Sequence, residues 1–310
     1  MINEDLINEL PAGISYKNDV SLAAYSSFKV GGACPLFINC PTSKLLIETI
    51  RILDKYSTKF IIIGEGTNIL VSDNGVDEVV IRFCSDNQKI KVNDLSLVVA
   101  AQTNLDKLVQ HAIRSNLGDI TFLSGIPGTV GGAIVGNAGA FGKQIGDVLN
   151  SAEVITDRGI IKTLSKEEFN FTYRSSSLKN SSIYLLSATL SLDYMDCCQM
   201  KKSRDEIISL RKEKHPDWKT EPCAGSIFRN IEPTSAADKR QAAGWFLEES
   251  GVKDFKEGGA YVYEKHANII IASKSSTAND VYILSEKMKN AVKDKFNIDL
   301  IREIKLLGSY

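Results

Sequence analysis

Residues 124–140 read Ser-Gly-Ile-Pro-Gly-Thr-Val-Gly-Gly-Ala-Ile-Val-Gly-Asn-Ala-Gly-Ala, a long run of glycines and other small or apolar residues without a single charge. Ordering glycine costs entropy, so this density points to a backbone that takes positive φ or lets something approach closely. A phosphate-bearing cofactor is one such partner, because successive amides of small residues form anion-binding concavities. A tight packed corner in a β-rich fold is the other reading of glycine content alone. A second glycine pair, Gly64-Glu65-Gly66, follows the short apolar run Phe60–Ile63. Neither stretch fits a familiar phosphate signature. A P-loop needs Gly-Lys followed by Ser or Thr, and Gly142-Lys143 is followed by Gln144. The dinucleotide fingerprint needs a third glycine and then a helix. Here Ile69 stands in that place, and residues 69–72 form an apolar run ending at the turn Asp73-Asn74-Gly75. A nucleotide held by these loops is therefore not on a Rossmann fold.

Other chemistries find less support. His111, His215 and His266 show no metal-ligand spacing, so no metal site is expected. Cys34, Cys40, Cys84, Cys197, Cys198 and Cys223 form no C-x-x-C pair and read as reduced thiols, with Cys223 as a packing residue near Ser226. The net charge of −1 gives no argument for nucleic acid or an anionic membrane. No apolar run approaches the ~20 residues of a membrane span. Residues 1–10 carry acidic groups and lack the basic-then-apolar pattern of a signal peptide, so a cytoplasmic protein is expected. At 310 residues, 43% hydrophobic and 24% charged, the chain has room for two or three lobes with cores.

The elements that must position the glycine loops follow from periodicity. Strands are expected at 36–40, 60–63, 79–83 and 97–101. Pro41-Thr42-Ser43 opens a helix whose Leu45, Leu46, Thr49, Ile50 and Leu53 recur at helical spacing. Residues 105–115 read as a second helix. Residues 152–156 and 160–163 flank Asp157-Arg158-Gly159 as a β-hairpin. Ser165 and Glu168 offer a capping box for a short helix, and 182–192 a further strand. Residues 201–214 form a charged helix, a solvated face rather than an RNA contact given the balanced total charge. Beyond Cys223 come a helix at 242–250 ended by Gly251, a strand at 267–272, an amphipathic helix at 278–296 and a strand at 301–307.

The loops resemble one superfamily. Gly64, Glu65, Gly66, Thr67, Asn68, Ile69 and Leu70 resemble the first flavin pyrophosphate loop of the vanillyl-alcohol-oxidase-type FAD fold. Ser124, Gly125, Ile126, Pro127, Gly128, Thr129, Gly131 and Gly132 resemble the second, with Asn137, Gly139 and Ala140 following. Within that fold the chain is similar to the UDP-N-acetylenolpyruvoylglucosamine reductases, which make UDP-N-acetylmuramate for peptidoglycan. Tyr173-Arg174-Ser175, Ala224-Gly225-Ser226-Ile227-Phe228-Arg229-Asn230, Ala243-Gly244-Trp245, Glu264-Lys265-His266-Ala267-Asn268 and Arg302-Glu303-Ile304-Lys305 fall in that family's order. The resemblance implies an α+β protein: a two-lobed vanillyl-alcohol-oxidase-type FAD-binding unit (1–82 and 83–200), then a C-terminal α/β substrate-binding domain (201–310). It implies NADPH as hydride donor and FAD as carrier, held without a covalent link because neither loop contains Cys or His. It also implies the shorter subtype, a UDP-sugar substrate, no nucleic-acid partner, no membrane insertion, and a monomer or weak oligomer.

In such a family the reduced flavin passes hydride to the enolpyruvyl methylene and the neighbouring carbon is protonated. Arg174 matches the arginine that spans the flavin pyrimidine edge and the substrate carboxylate, where a fixed planar cation suits both. It thus counts as both a catalytic and a cofactor residue. Glu303 matches the carboxyl group that polarises that carboxylate, a role that implies a pKa raised by burial. Ser226 matches the proton donor, a role that needs a dry site and a strongly basic acceptor. Arg229, Asn230 and His266 fall where the family contacts substrate phosphates or sugar. From local residues alone the structural readings come first, Arg174 as a surface turn arginine, Glu303 as a cross-strand partner of Lys305 or Arg302, and Ser226 as a helix cap or turn serine; the order of the motifs reverses this. The chain departs from the family pattern at Gly136, at the run Ser175-Ser176-Ser177, at Arg229 where lysine is usual, and at Arg302 where proline is usual. A same-fold flavoenzyme acting on another enol ether or alcohol is the competing reading, and a flavin-binding subunit without turnover the next.

Overall fold

A computed structural model of the chain describes residues 2–85, 90–233 and 239–310. They divide into two compact units that interleave along the sequence. Met1–Asn18, Pro35–Glu65 and Glu78–Arg211 form the first; Asp19–Cys34, Gly66–Asp77 and Lys212–Tyr310 form the second.

In the first unit, Val79–Arg82 lies between Ala33–Asn39 and Phe60–Ile63 and runs parallel to both, with Phe37 opposite Val80 and Ile61 opposite Val80. Val79, Val80 and Ile81 are all buried, as expected of a parallel strand covered on both faces. The helix Ser43–Lys55 begins where Thr42 Oγ1 accepts the Leu45 amide (3.3 Å), and it buries the stripe Leu46, Thr49, Ile50 and Leu53. An antiparallel sheet follows in the order Ile161–Ser165, Leu149–Thr156, Ile183–Ser191, Ser96–Ala100, Lys91–Asn93. Its hairpin pairs Ile155 with Ile161 across the Asp157-Arg158-Gly159 turn. The helix Leu105–Arg114, capped by Asn104, buries Leu105, Leu108, Val109 and Ala112. One core runs through both sheets, joining Ile38, Ile50 and Ile81 to Val99, Leu108, Val154 and Leu190.

The second unit gathers chain segments far apart in sequence because Ile69–Val71 pairs in parallel with Lys305–Leu307. Asp73 reinforces the join: its two carboxylate oxygens accept the amides of Ala278 and Asn279, 2.8 Å each, at the start of the helix Ala278–Phe296. That helix packs Val281, Leu284, Met288 and Val292 into a core shared with Phe28, Leu70, Ile227 and Ile270. An antiparallel sheet of Lys256–Glu257, Ala260–Val262 and Ile270–Ala272 and the helix Ala243–Glu249 complete the unit.

Three expectations change. The glycine run contains a short helix, Val130–Val135, opened by the Thr129 side chain. The last strand is limited to Lys305–Leu307, because residues 301–303 bond to residues 227–229 instead. The element after Ser165 is a single 3-10 turn, Glu167–Phe169, with the Ser165 amide donating to Glu168 Oε2 (2.7 Å).

Candidate active site

The two glycine loops meet inside the first unit. A Cβ on Gly64 would lie 2.7 Å from Thr129 Oγ1, so only glycine lets the loops approach. Glu65 Oε1 accepts from Asn104 Nδ2 (2.8 Å), and the Leu105 amide donates to Gly128 O (2.9 Å). The amides of Val130, Gly131 and Gly132 bond to Thr103 O, Ala101 O and Thr129 Oγ1 at 2.9, 2.8 and 3.2 Å. The start of the short helix is thus closed on the protein itself, which leaves recognition to the loops before it. Ser124 Oγ is sealed within the second loop with no hydrogen-bond partner among the described residues. A close-approach glycine cradle and an orphaned buried hydroxyl fit a dinucleotide cofactor laid over the two loops.

Arg174 sits at the tip of a tight turn. The Thr172 and Ser175 backbones exchange hydrogen bonds (3.0 and 3.2 Å), and Arg174 takes a left-handed φ of 56° at the second corner. Its carbonyl accepts from Lys179 Nζ (3.2 Å) and its guanidinium lies 5.2 Å from the Tyr173 ring. The turn is held by Asn137. This fully buried amide donates to Thr172 O and Gln144 Oε1, both at 2.9 Å, and accepts the Gly146 amide (3.1 Å). Asn137 therefore bears on the site by fixing the arginine turn. The serine run after Arg174 is structural too: Ser176 Oγ donates to Val135 O and Ser177 Oγ to Glu168 O, each 2.9 Å. Gly139 and Ala140 pair antiparallel with Gln144 and Lys143, next to the Asn137 turn.

The second unit brings Ser226 and Glu303 onto neighbouring backbone. The Glu303 amide donates to Ile227 O (2.7 Å), and Ser226 bridges to Ile269 on its other side. Ser226 and Glu303 are both half-buried. The remainder of the first glycine loop lies here as well, since Asn68 Nδ2 donates to Glu303 O (3.3 Å) and the Lys305 amide to Asn68 O (3.0 Å). Asn268, 2% exposed, clamps the serine segment. Its Oδ1 accepts the Phe228 amide (2.9 Å), its Nδ2 donates to Phe228 O (2.8 Å), and its carbonyl accepts the Ile227 amide (2.9 Å). Sequence reasoning missed Asn104 and placed Asn268 only at the end of the motif 264–268 without a role, because nothing in composition marks an asparagine as buried.

Arg229 is tied through its amide to Ile301 O (2.9 Å), and Asn230 Oδ1 accepts the Ala243 amide (3.1 Å) at the start of the helix Ala243–Glu249. The Asn268 amide donates to His266 Nδ1 (3.2 Å), which places the proton of the neutral ring on Nε2. Burial lowers the His266 pKa; Glu248 opposes this, and Lys214 and Lys253 add to it. His215 lies beside it, with ring centres 5.5 Å apart. Cys223 is buried in the unit's core, where burial pushes its thiol pKa up. Arg302, a departure from the resembled pattern, points its charge at the helix Ala278–Phe296. It donates to Ser285 Oγ (2.9 and 3.1 Å), pairs with Glu286 and covers the Tyr282 ring at 4.8 Å. It anchors the segment that carries Glu303.

Comparison with known proteins agrees across both units. Residues 35–165 match the family model described as an FAD binding domain, and residues 216–307 match "UDP-N-acetylenolpyruvoylglucosamine reductase, C-terminal domain". A UDP-N-acetylenolpyruvoylglucosamine reductase of Chloroherpeton thalassium is 36% identical over 298 residues, covering 94% of this chain and 93% of its own length. UDP-N-acetylenolpyruvoylglucosamine reductase 1 of Bacillus cereus is 34% identical over 309 residues, covering 98% and 99%. The crystal structure of the Thermus caldophilus UDP-N-acetylenolpyruvylglucosamine reductase superposes with a TM-score of 0.77 at 29% identity, covering 95% of this chain and 99% of that one.

Proposed function

The chain belongs to the UDP-N-acetylenolpyruvoylglucosamine reductase family, and from that premise we propose that Arg174, Ser226 and Glu303 carry its chemistry. The protein is an FAD-dependent oxidoreductase of peptidoglycan synthesis that converts UDP-N-acetylglucosamine enolpyruvate to UDP-N-acetylmuramate. Among the described residues no helix is long and apolar enough to cross a membrane.

When bound, FAD would supply hydride chemistry, with NADPH as its reductant. Residues 64–70, 124–129, 139 and 140 would hold it through the two glycine loops, with Gly131 and Gly132 closing the second loop onto Ala101 and Thr129 and Asn137 supporting the arginine turn. Arg174 holds its planar cation at the turn tip, where it stabilises negative charge without titrating. Glu303 polarises the substrate carboxylate, on which charge develops as hydride arrives. Ser226 gives its hydroxyl proton to the neighbouring carbon. That transfer from a weak acid is feasible because the acceptor is carbanion-like and bound substrate would cover the half-buried serine, whose neighbours Ile227 and Phe228 are already buried. Arg229, Asn230 and His266 contact the nucleotide and sugar, His266 through its neutral Nε2–H. The observation that carries this reading is the placement of Ser226 and Glu303 on hydrogen-bonded neighbouring segments that also hold residues 68–70 of the first loop. Reducing the purified flavoprotein anaerobically with NADPH and adding UDP-N-acetylglucosamine enolpyruvate tests it. Rapid return of the oxidised flavin spectrum is expected, and a flavin that stays reduced would transfer the enzyme to another acceptor.

A further inference from the structure

The helix Cys197–Lys214 carries two arginines on one face, seven residues and about two turns apart, with Ile208 between them. Arg204 is matched: its Nη2 contacts both oxygens of Asp106, at 2.7 and 3.0 Å. Arg211 is not. Its Nε, like that of Arg204, is sealed from solvent without a hydrogen-bond partner, but where Arg204 has Asp106, among the described residues no carboxylate pairs with Arg211. A second cation acts against it: burial first, and then the charge of Arg174, lower its pKa. A withdrawn guanidinium with no counter-ion and a second guanidinium nearby is an unfavourable arrangement in the free chain. The side chain also has a defined place. A Cβ on Gly125 would come within 2.7 Å of Arg211 Cδ and 3.4 Å of Nε, so Arg211 lies directly against the second glycine loop.

We propose that Arg211 is an anion-binding residue of the reaction centre, forming with Arg174 a two-guanidinium clamp over Gly125 for a planar, delocalised anion. This rests on the placing of Arg174 and the second glycine loop at the flavin. The anion is either the pyrimidine edge of the reduced flavin or the substrate's carboxylate, since both spread one negative charge over coplanar acceptors that a guanidinium fork matches. The geometry also explains why residue 125 is glycine: any side chain there would displace the arginine.

The test compares Arg211→Met and Arg211→Lys with the parent enzyme. In flavin-free protein, Arg211→Met is expected to raise the melting temperature, because it removes an uncompensated charge; an arginine that only supports the fold would lower it. If the flavin supplies the anion, the flavin midpoint potential, read against a reference dye, becomes more negative in Arg211→Met, with Arg211→Lys intermediate. If the substrate supplies it, the potential stays in place and half-saturation in the anaerobic reoxidation rises at least tenfold. Should Arg211→Met hold no flavin, both readings are made on Arg211→Lys, which keeps the charge but loses the fork. Unchanged potential together with unchanged half-saturation would overturn the proposal. Failure of the parent itself to be reoxidised would refute the proposed reaction instead, and the melting and potential measurements would still decide the role of Arg211.

Discussion

In the first unit Asn137 is buried completely and bonds to the carbonyl of Thr172, two residues before Arg174. In the second, Asn268 is 2% exposed and bonds both ways to the backbone of Phe228, two residues after Ser226. Each unit therefore fixes the segment carrying its proposed reactive side chain with a buried amide bound to nearby backbone. The strain falls differently. Arg174 itself takes the left-handed conformation, at φ 56°, whereas beside Ser226 it is Gly225 that does so, at φ 70°. A left-handed non-glycine costs about 1–2 kcal/mol, and a glycine avoids most of it. The turn tip that must present a guanidinium keeps that cost at the functional residue. The serine segment can shift it one place along the chain.

The largest expected effect separates the two reactive residues. Ser226→Ala should leave flavin reduction by NADPH intact and slow substrate-driven reoxidation by about 10²–10⁴-fold, the usual contribution of a positioned acid. Arg174→Ala should disturb both half-reactions, because in the proposed role its cation serves cofactor and substrate alike. Stopped-flow absorbance of the two half-reactions reads this directly. Equal damage to both steps in Ser226→Ala would remove the serine from the proton-donor role.

The buried amides come next. Asn137→Ala and Asn268→Ala each strand buried backbone groups, at about 1–3 kcal/mol per group, so both should lower stability to chemical denaturation. Their functional signatures should differ. Asn137→Ala loosens the arginine turn and weakens flavin retention. Asn268→Ala keeps flavin and loses rate in the reoxidation step. If Asn268→Ala instead released flavin and kept its reoxidation rate, the parallel between the units would fail.

Much of this arrangement was legible in the sequence. The ordered motifs identified the family, and the periodicity of Ser43–Lys55, Leu105–Arg114 and Ala278–Phe296 located the main helices within a few residues. The strands Phe60–Ile63 and Ile183–Ser191 also follow from their apolar runs. What could not be read depends on tertiary partners. Thr129 makes a helix out of a glycine-rich run by capping it, overriding the poor intrinsic propensity of Gly131 and Gly132. Lys256–Glu257 and Ala260–Val262 are too short to show alternation. Ile69–Val71 belongs with the C-terminal strand through a pairing across more than 230 residues, beyond the reach of any local signal. The burial of Asn137 and Asn268 and the missing counter-ion of Arg211 are likewise properties of the assembled chain.

A smaller effect tests where the strain sits. A Cβ on Gly225 meets nothing within 4 Å, so Gly225→Ala measures the backbone alone. It should lose about 1–2 kcal/mol of stability and slow reoxidation by tilting Ser226. Unaltered stability would mean that the turn relaxes to another conformation and that the glycine was not carrying the strain.

The smallest effect is in pH. Each unit holds a histidine with a lowered pKa: His111, through burial and then Arg114, and His266, through burial, which outweighs its own backbone hydrogen bond and Glu248 and is helped by Lys214 and Lys253. A folded pKa below the unfolded one means that the unfolded chain takes up the proton first on acidification. Stability from both groups is therefore complete above the ordinary imidazole value of about 6.5 and is lost as pH falls through it. Between about pH 7.5 and 5.5, unfolding free energy should decline with a slope to which each histidine contributes at most one proton. His266→Gln should flatten its share without touching that of His111, because the two lie in different units. Denaturant melts of the flavin-free protein across this range give the slopes. If His266→Gln leaves the slope unchanged, the ring takes up its proton at the same pH folded and unfolded, and burial is not what holds it neutral at the site.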